Sequence, residues 1–379
     1  MGLLRTVFAL AVVLTHTWPT GLVFVGGENA VQCFYIISGF LISYILVEKK
    51  SYPTLWAFYL NRYLRLYPIY LFVAILSLIA ILATRHAEFF RVYQEAPASA
   101  IALLAFSNTF LFGQDWIMFC GVRDHELVPV TNFMNSDVPL FWGQVIHPSW
   151  TLGVELSFYL IAPFVLVRRK LIYALLALSL CLRLYLIHLG LGTRDPWTYR
   201  FFPTELALFL FGALAHQLLL PMYRKLEAGR RVRAANLATW SLVAFSLVYF
   251  LIPVEDIYKR LFLLTVFVGL VPLTFVFQQT HRFDSWIGNL SYPIYIGHML
   301  VLWGASYLLK HLGLDGPRAI SLLCVAGSIA FAIFLNWFVG DRVESLRSRL
   351  RSRGEGVRSV DWRRWWTRRG PAVQKVGST

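Results

Sequence analysis

The chain has 379 residues, 58% of them hydrophobic and only 15% charged, with a mean hydropathy of +0.59. A water-soluble domain carries about 25% charged residues, so this composition excludes a soluble globular fold of that size and points to serial membrane spans. The net charge of +15 does not indicate nucleic-acid binding, because the cations fall in short loops between apolar stretches and in one tail, where eleven Lys or Arg face four Asp or Glu from Asp341 onward.

Ten apolar stretches reach the length that crosses about 30 Å of hydrocarbon: residues 3–22, 30–47, 66–83, 150–167, 171–189, 203–220, 237–252, 259–278, 290–309 and 319–340. The expected architecture is an all-α polytopic membrane bundle of about ten transmembrane helices over residues 1–340. A basic cytoplasmic tail, 341–379, is expected to be partly disordered. The first stretch reads as a retained span, since no small-residue cleavage site ends it. It carries Arg5 and His16, eleven residues apart and close to three helical turns, so the two share a face about 16 Å apart along the axis. An ionisable group inside a bilayer is costly and marks a functional candidate; a hydrogen-bonded structural histidine is the plainer alternative for His16.

In the second span, Tyr35-Ile36-Ile37-Ser38-Gly39-Phe40-Leu41-Ile42 places a small Ser-Gly pair where helices pack closely. The third opens with Asn61-Arg62-Tyr63-Leu64-Arg65-Leu66-Tyr67-Pro68, and the spacing of three puts Arg62 and Arg65 on one helix face. Guanidinium forks suit phosphate oxygens, so a cytoplasmic anionic donor such as a coenzyme A thioester fits there. Topogenic charge touching lipid phosphate is the plainer reading and, without other evidence, the favoured one. Residues 84–149 form the longest non-spanning segment. Within it, 100–112 is apolar but short, and it ends in a polar run with Gln114 and Asp115; it reads as re-entrant or interfacial.

The chain enters the fourth span as His147-Pro148-Ser149-Trp150-Thr151-Leu152-Gly153-Val154-Glu155. Glu155 lies in apolar sequence at a depth comparable with His16, and a His–carboxylate pair there could take a proton from a hydroxyl or simply tie two helices together. Basic clusters follow at Arg168-Arg169-Lys170, between Arg224 and Arg233, and after the tenth span. With the N-terminus inside, ten spans put every basic cluster on the cytoplasmic side, whereas counting 100–112 as a crossing inverts that parity. The ninth span, Leu290-Ser291-Tyr292-Pro293-Ile294-Tyr295-Ile296-Gly297-His298, repeats polar groups at helical spacing, as a polar path or a packing face would. Arg347, Arg349, Arg351 and Arg353, followed by Trp362, Arg363, Arg364, Trp365 and Trp366, suit an anionic leaflet or a solvated tail. Cys33, Cys120, Cys181 and Cys324 are scattered without metal or disulfide spacing.

Taken in order, Arg5 and His16, Phe34 to Ile42, Arg62 and Arg65, Trp150 to Glu155 with Phe158-Tyr159, and Leu290-Ser291-Tyr292 with His298 resemble the acyltransferase-3 family over about residues 1–340. The resemblance implies ten spans with both ends cytoplasmic. It further implies O-acylation of extracytoplasmic or membrane-associated carbohydrate from cytoplasmic acyl-coenzyme A, taken as acetyl, in a bacterial inner membrane, with no permanently bound cofactor or metal. Carried over by position, His16 is the catalytic histidine, Arg5 its first-span basic companion, Glu155 the acid of the Trp-Ser-Leu-x-x-Glu phrase, and Arg62 and Arg65 the donor-binding pair. His147, Trp150, Tyr159, Ser38 and His298 are supporting candidates. The sequence departs from the family where Gln32, Leu156 and Ser157 replace two acids and a glutamine, and the roughly 39 residues after the last span leave no room for a C-terminal hydrolase-like domain. The alternative class is a transporter or flippase for a sugar or lipid-linked substrate, in which the buried His, Arg and Glu would line a substrate or proton pathway.

Overall fold

A computed structural model describes residues 1–350, so the tail arginines from Arg351 onward and Trp362 to Trp366 lie outside the described residues. Ten helical runs coincide with the ten apolar stretches. They are α1 (Gly2–Thr17), α2 (Gly27–Ser43), α3 (Leu55–Thr84), and, after two shorter helices, α6 (Trp150–Val165), α7 (Arg169–His188), α8 with its continuation α9 (Phe202–Leu214, Leu220–Arg224), α10 (Ala228–Val248), α11 (Asp256–Thr280), α12 (Arg282–His311) and α13 (Pro317–Leu335). Among the described residues, seven helical segments are long and apolar enough to cross a membrane. α1 and α6, with 16 residues each, rise about 24 Å.

Two boundaries differ from the sequence reading. The first helix ends at Thr17 rather than near residue 22, because Pro19 forces Trp18 out of the helical region to φ −150°. The third begins at Leu55, eleven residues before the apolar run, with the Thr54 hydroxyl accepting from the Ala57 N–H at 3.1 Å as an N-cap. Arg62 and Arg65 therefore belong to the body of α3, not to its entry.

Segment 84–149 packs as a cap on one face. It contains α4 (Ala87–Glu95), α5 (Ala98–Phe110) and a hairpin of β1 (Cys120–Arg123) on β2 (Glu126–Pro129), with Arg123 opposite Glu126. Asp124 and His125 close the hairpin, both at positive φ, as a two-residue type I′ turn requires. The 13 residues of α5 rise only about 20 Å, short of a crossing.

Cross-links show that the basic loops share one face. Arg224 makes a double hydrogen bond to Glu48 at 2.9 and 3.0 Å, and Gln217 donates to the Leu166 carbonyl at 2.9 Å. The helix α14 (Asp341–Arg349), which continues α13, accepts from Asn61 of α3 through the Arg347 carbonyl at 2.9 Å. On the opposite face Ser321 bonds Thr17 and Trp197 donates to the Thr131 carbonyl.

A close crossing between α2 and α8 places the site. A Cβ on Gly39 would meet the Phe209 carbonyl oxygen at 1.8 Å, and one on Gly212 would meet that of Ile36 at 2.0 Å. The small Ser38-Gly39 pair thus lets two backbones touch, as its sequence suggests, and turns the neighbouring Ser38 towards α6.

Candidate active site

α1 is held at its start by Asp284 of α12, whose carboxylate accepts from the N–H groups of Gly2 and Leu3 at 2.7 and 2.8 Å. An acid on the exposed N–H groups of a helix start suits the helix dipole, and it fixes the register of Arg5 and His16. α12 is tied to α6 by Tyr295, whose hydroxyl accepts from the Thr151 hydroxyl at 3.0 Å and reaches the Pro148 carbonyl at 3.2 Å. α12 is tied to α3 by Tyr292, which donates to the Leu66 carbonyl at 2.7 Å.

These helices enclose a narrow cavity of about 90 Å³ lined by Arg5, Arg62, Arg65, Ser38, Glu155 and Tyr159 among others. That volume holds several waters or a small acyl group. Three guanidinium groups line it against a single carboxylate. Glu155 accepts from Ser38 at 2.8 Å and from Tyr159 one turn along α6. Arg62 is only 5% exposed; it donates to the Tyr52 hydroxyl at 2.8 Å and the Asn61 side-chain carbonyl at 3.0 Å, while its Nε has no partner. A buried, incompletely satisfied guanidinium in a net-positive cavity is costly unless an anion completes it.

His16 lies elsewhere. It sits exposed at the far end of α1, about 16 Å along the axis from Arg5, and its partner is His298 rather than Glu155. The His298 Nδ1 lies 2.6 Å from the Tyr295 carbonyl, and its Nε2 lies 3.3 Å from His16 Nδ1, which also lies 2.9 Å from the Val12 carbonyl. Carbonyls only accept, so both Nδ1 atoms carry hydrogens in the neutral rings. His298 Nε2 then accepts from His16, and His16 Nε2 is left with its lone pair unspent. The expected His16–Glu155 contact is absent because Glu155 stands at the level of Arg5 in the shared cavity. The two residues occupy different levels of one polar column, with Tyr295 and Thr151 between.

His147, a supporting candidate, packs against Phe141 and Trp142 with ring centroids 4.5 and 5.4 Å away. Burial first, then the charges of His86 and His16, pushes it down to about 4, so it stays neutral. Trp150 stacks under the Arg200 guanidinium at 4.4 Å, and Arg200 is clamped by Asp195 at 2.6 and 2.9 Å. The aromatic–cation stack fixes the start of α6.

Several residues of the site escape sequence reasoning. Arg200 carries no motif signal of its own, and Asn61 and Tyr292 lie in quoted motifs without being singled out there. Asp115 follows the short apolar stretch; it is 4% exposed, its Oδ1 is unpartnered, and it lies against Gly153, where a Cβ would be 2.4 Å from that oxygen. Burial pushes its carboxyl up to about 7. Gln32, which stands where an acid is common, donates to the buried Glu205 at 3.2 Å, and Glu205 also receives Arg183 at 2.5 Å. A carboxylate is therefore present at this position, supplied by α8 instead of α2.

A protein of Aquifex aeolicus (strain VF5) described as uncharacterized is 27% identical over 229 residues, covering 57% of this chain and 95% of that relative. No solved structure matches. The family model described as "Acyltransferase domain" matches residues 1–337, the whole region that carries the cavity and the histidine pair, and the chain belongs to the acyltransferase-3 family, a membrane acyltransferase.

Proposed function

We propose that this protein moves an acyl group, acetyl in the first instance, from cytoplasmic acyl-coenzyme A to a hydroxyl of a carbohydrate at or beyond the outer face of a bacterial inner membrane. The observation that carries the reading is the charge of the cavity, three guanidinium groups against one carboxylate, at the end that the basic loops share. Arg62 and Arg65 grip donor phosphates, for which guanidinium forks are suited. The thioester enters towards Arg5 and Glu155, and Arg5 lines the passage between the two levels.

At the other end His16 acts as general base. Its Nε2 takes the acceptor hydroxyl proton as the oxygen attacks the thioester carbonyl; the carbon–sulfur bond then breaks, and the proton passes to the departing thiolate. The Val12 carbonyl and His298 together keep His16 in the tautomer that leaves Nε2 basic, in place of the expected His16–Glu155 pair. Glu155 instead offsets part of the arginine charge and holds Ser38 and Tyr159 in the cavity wall. The purified protein should consume acetyl-coenzyme A only when a glycan acceptor is supplied, and His16→Ala should abolish this. Movement of a glycan across the bilayer with no thioester consumed would replace the reading with transport.

A further inference from the structure

Among the described residues that line the cavity, every hydroxyl but one gives its hydrogen to a protein acceptor. Ser38 and Tyr159 donate to Glu155, Tyr292 to the Leu66 carbonyl at 2.7 Å and Ser291 to the Gly288 carbonyl at 2.7 Å. Thr151 donates to the Tyr295 hydroxyl, which passes its own hydrogen on to the Pro148 carbonyl. Tyr35 is the exception: it lines the same cavity, is 3% exposed, and its hydroxyl has no partner. A hydroxyl buried without a partner is costly unless a ligand completes it.

Helix geometry places this hydroxyl group's ring between the two ends of the polar column. α2 begins beside the far end of α1, where a Cβ on Gly27 would lie 3.5 Å from Thr15. Tyr35 comes one turn before Ser38 and so stands about 4.5 Å nearer the histidines. Its neighbour Phe34 meets the Tyr295 ring at 6.2 Å, and Tyr295 accepts from His298 through its carbonyl. The Tyr35 ring is held in place by stacking on Phe209 of α8, with centroids 4.7 Å apart and planes 27° apart. Arg5 stands a level deeper, with Glu155.

We propose that the Tyr35 hydroxyl stabilises the oxyanion formed during acyl transfer by donating a hydrogen bond to the acyl carbonyl oxygen. This rests on the acyl-transfer reading above. As the acceptor oxygen bonds to the carbonyl carbon, the carbonyl π pair moves onto its oxygen; the pair returns when the carbon–sulfur bond breaks. Tyr35 keeps its proton throughout and offsets the charge on that oxygen, while His16 carries the acceptor's proton to the thiolate.

Tyr35→Phe removes the hydroxyl and keeps the stacked ring. In membranes of the native cells, which hold the natural acceptor, label transfer from acetyl-coenzyme A should fall about 10²-fold at matched protein level. In lipid nanodiscs the full-length variant should bind coenzyme A as wild type does, with an equal or higher melting temperature. The infrared band of carbonyl-labelled acetyl-coenzyme A, bound without acceptor, should lie lower in wild type than in the variant, because a hydrogen bond weakens the C=O bond. Unchanged transfer, or a band that the substitution does not move, would overturn the inference. Lost transfer with a lowered melting temperature and an unmoved band would make Tyr35 a packing residue only. Wild type that transfers no label would instead sink the acyl-transfer reading, and this inference with it.

Discussion

The two ends of the polar column are built on opposite electrostatic plans. At the end of the basic loops, three arginines line a narrow cavity with one carboxylate, and the buried Arg62 is left one bond short. At the other end two neutral imidazoles form a chain in which every hydrogen of the pair has an acceptor and one lone pair is left over. The first arrangement pays in desolvated charge for the ability to hold an anion. The second is organised to accept a proton without needing a carboxylate beside it. The division separates binding from chemistry, and substitutions should respect it.

The largest effect is expected at the histidine end. His16→Ala should lower turnover by about 10²–10⁴-fold, the usual range for a lost general base, while coenzyme A affinity stays as in wild type. At the other end Arg62→Ala should weaken donor binding tenfold or more, with Arg62→Lys recovering part of it, because an ammonium keeps the charge but not the fork. Equilibrium binding and steady-state kinetics on the same preparations separate the two; a matched loss of binding and turnover in both variants would break the comparison. His298→Phe keeps a ring in the same place but leaves the Val12 carbonyl as the one acceptor for the His16 Nδ1 hydrogen, so turnover should fall by at most about tenfold with donor affinity unchanged.

The smallest effect lies in stability, at the cap. The folded state keeps Asp115 protonated up to about pH 7, whereas the unfolded chain releases that proton near 3.8. A raised carboxyl pKa costs stability as pH climbs between those values, and the cost is constant above them. Asp115→Asn should therefore leave thermal stability unchanged at pH 3.5 and raise it at pH 8, by at most about 4 kcal/mol. A stabilisation of equal size at both pH values would show that burial of the charge is not the cause.

Much of this was legible in the sequence because the bilayer is a severe solvent. Apolar runs of fixed length and one charge parity predict the ten helices, and costly residues such as Arg5, His16, Arg62 and Glu155 stand out against them. The Ser38-Gly39 pair signals a close crossing, and the glycine is where α2 and α8 touch. What was not legible is which costly residues meet. His16 and Glu155 look equally deep when counted from the ends of their apolar runs, but Pro19 cuts α1 short and leaves His16 at the mouth. His298 is invisible as its partner because they are 282 residues apart. Asp115 and Arg200 sit in segments without periodicity, where only the folded cap brings them to α6.

The sidedness of the reaction is the central claim. Proteoliposomes in which the protein has one known orientation should be given labelled acetyl-coenzyme A on one face at a time, with a glycan acceptor on the other. The account predicts that label leaves the thioester only when it is supplied on the face of Lys49, Arg168 and Arg224, and that Arg62→Ala raises the concentration needed. Consumption from the opposite face, or from both equally, would contradict it.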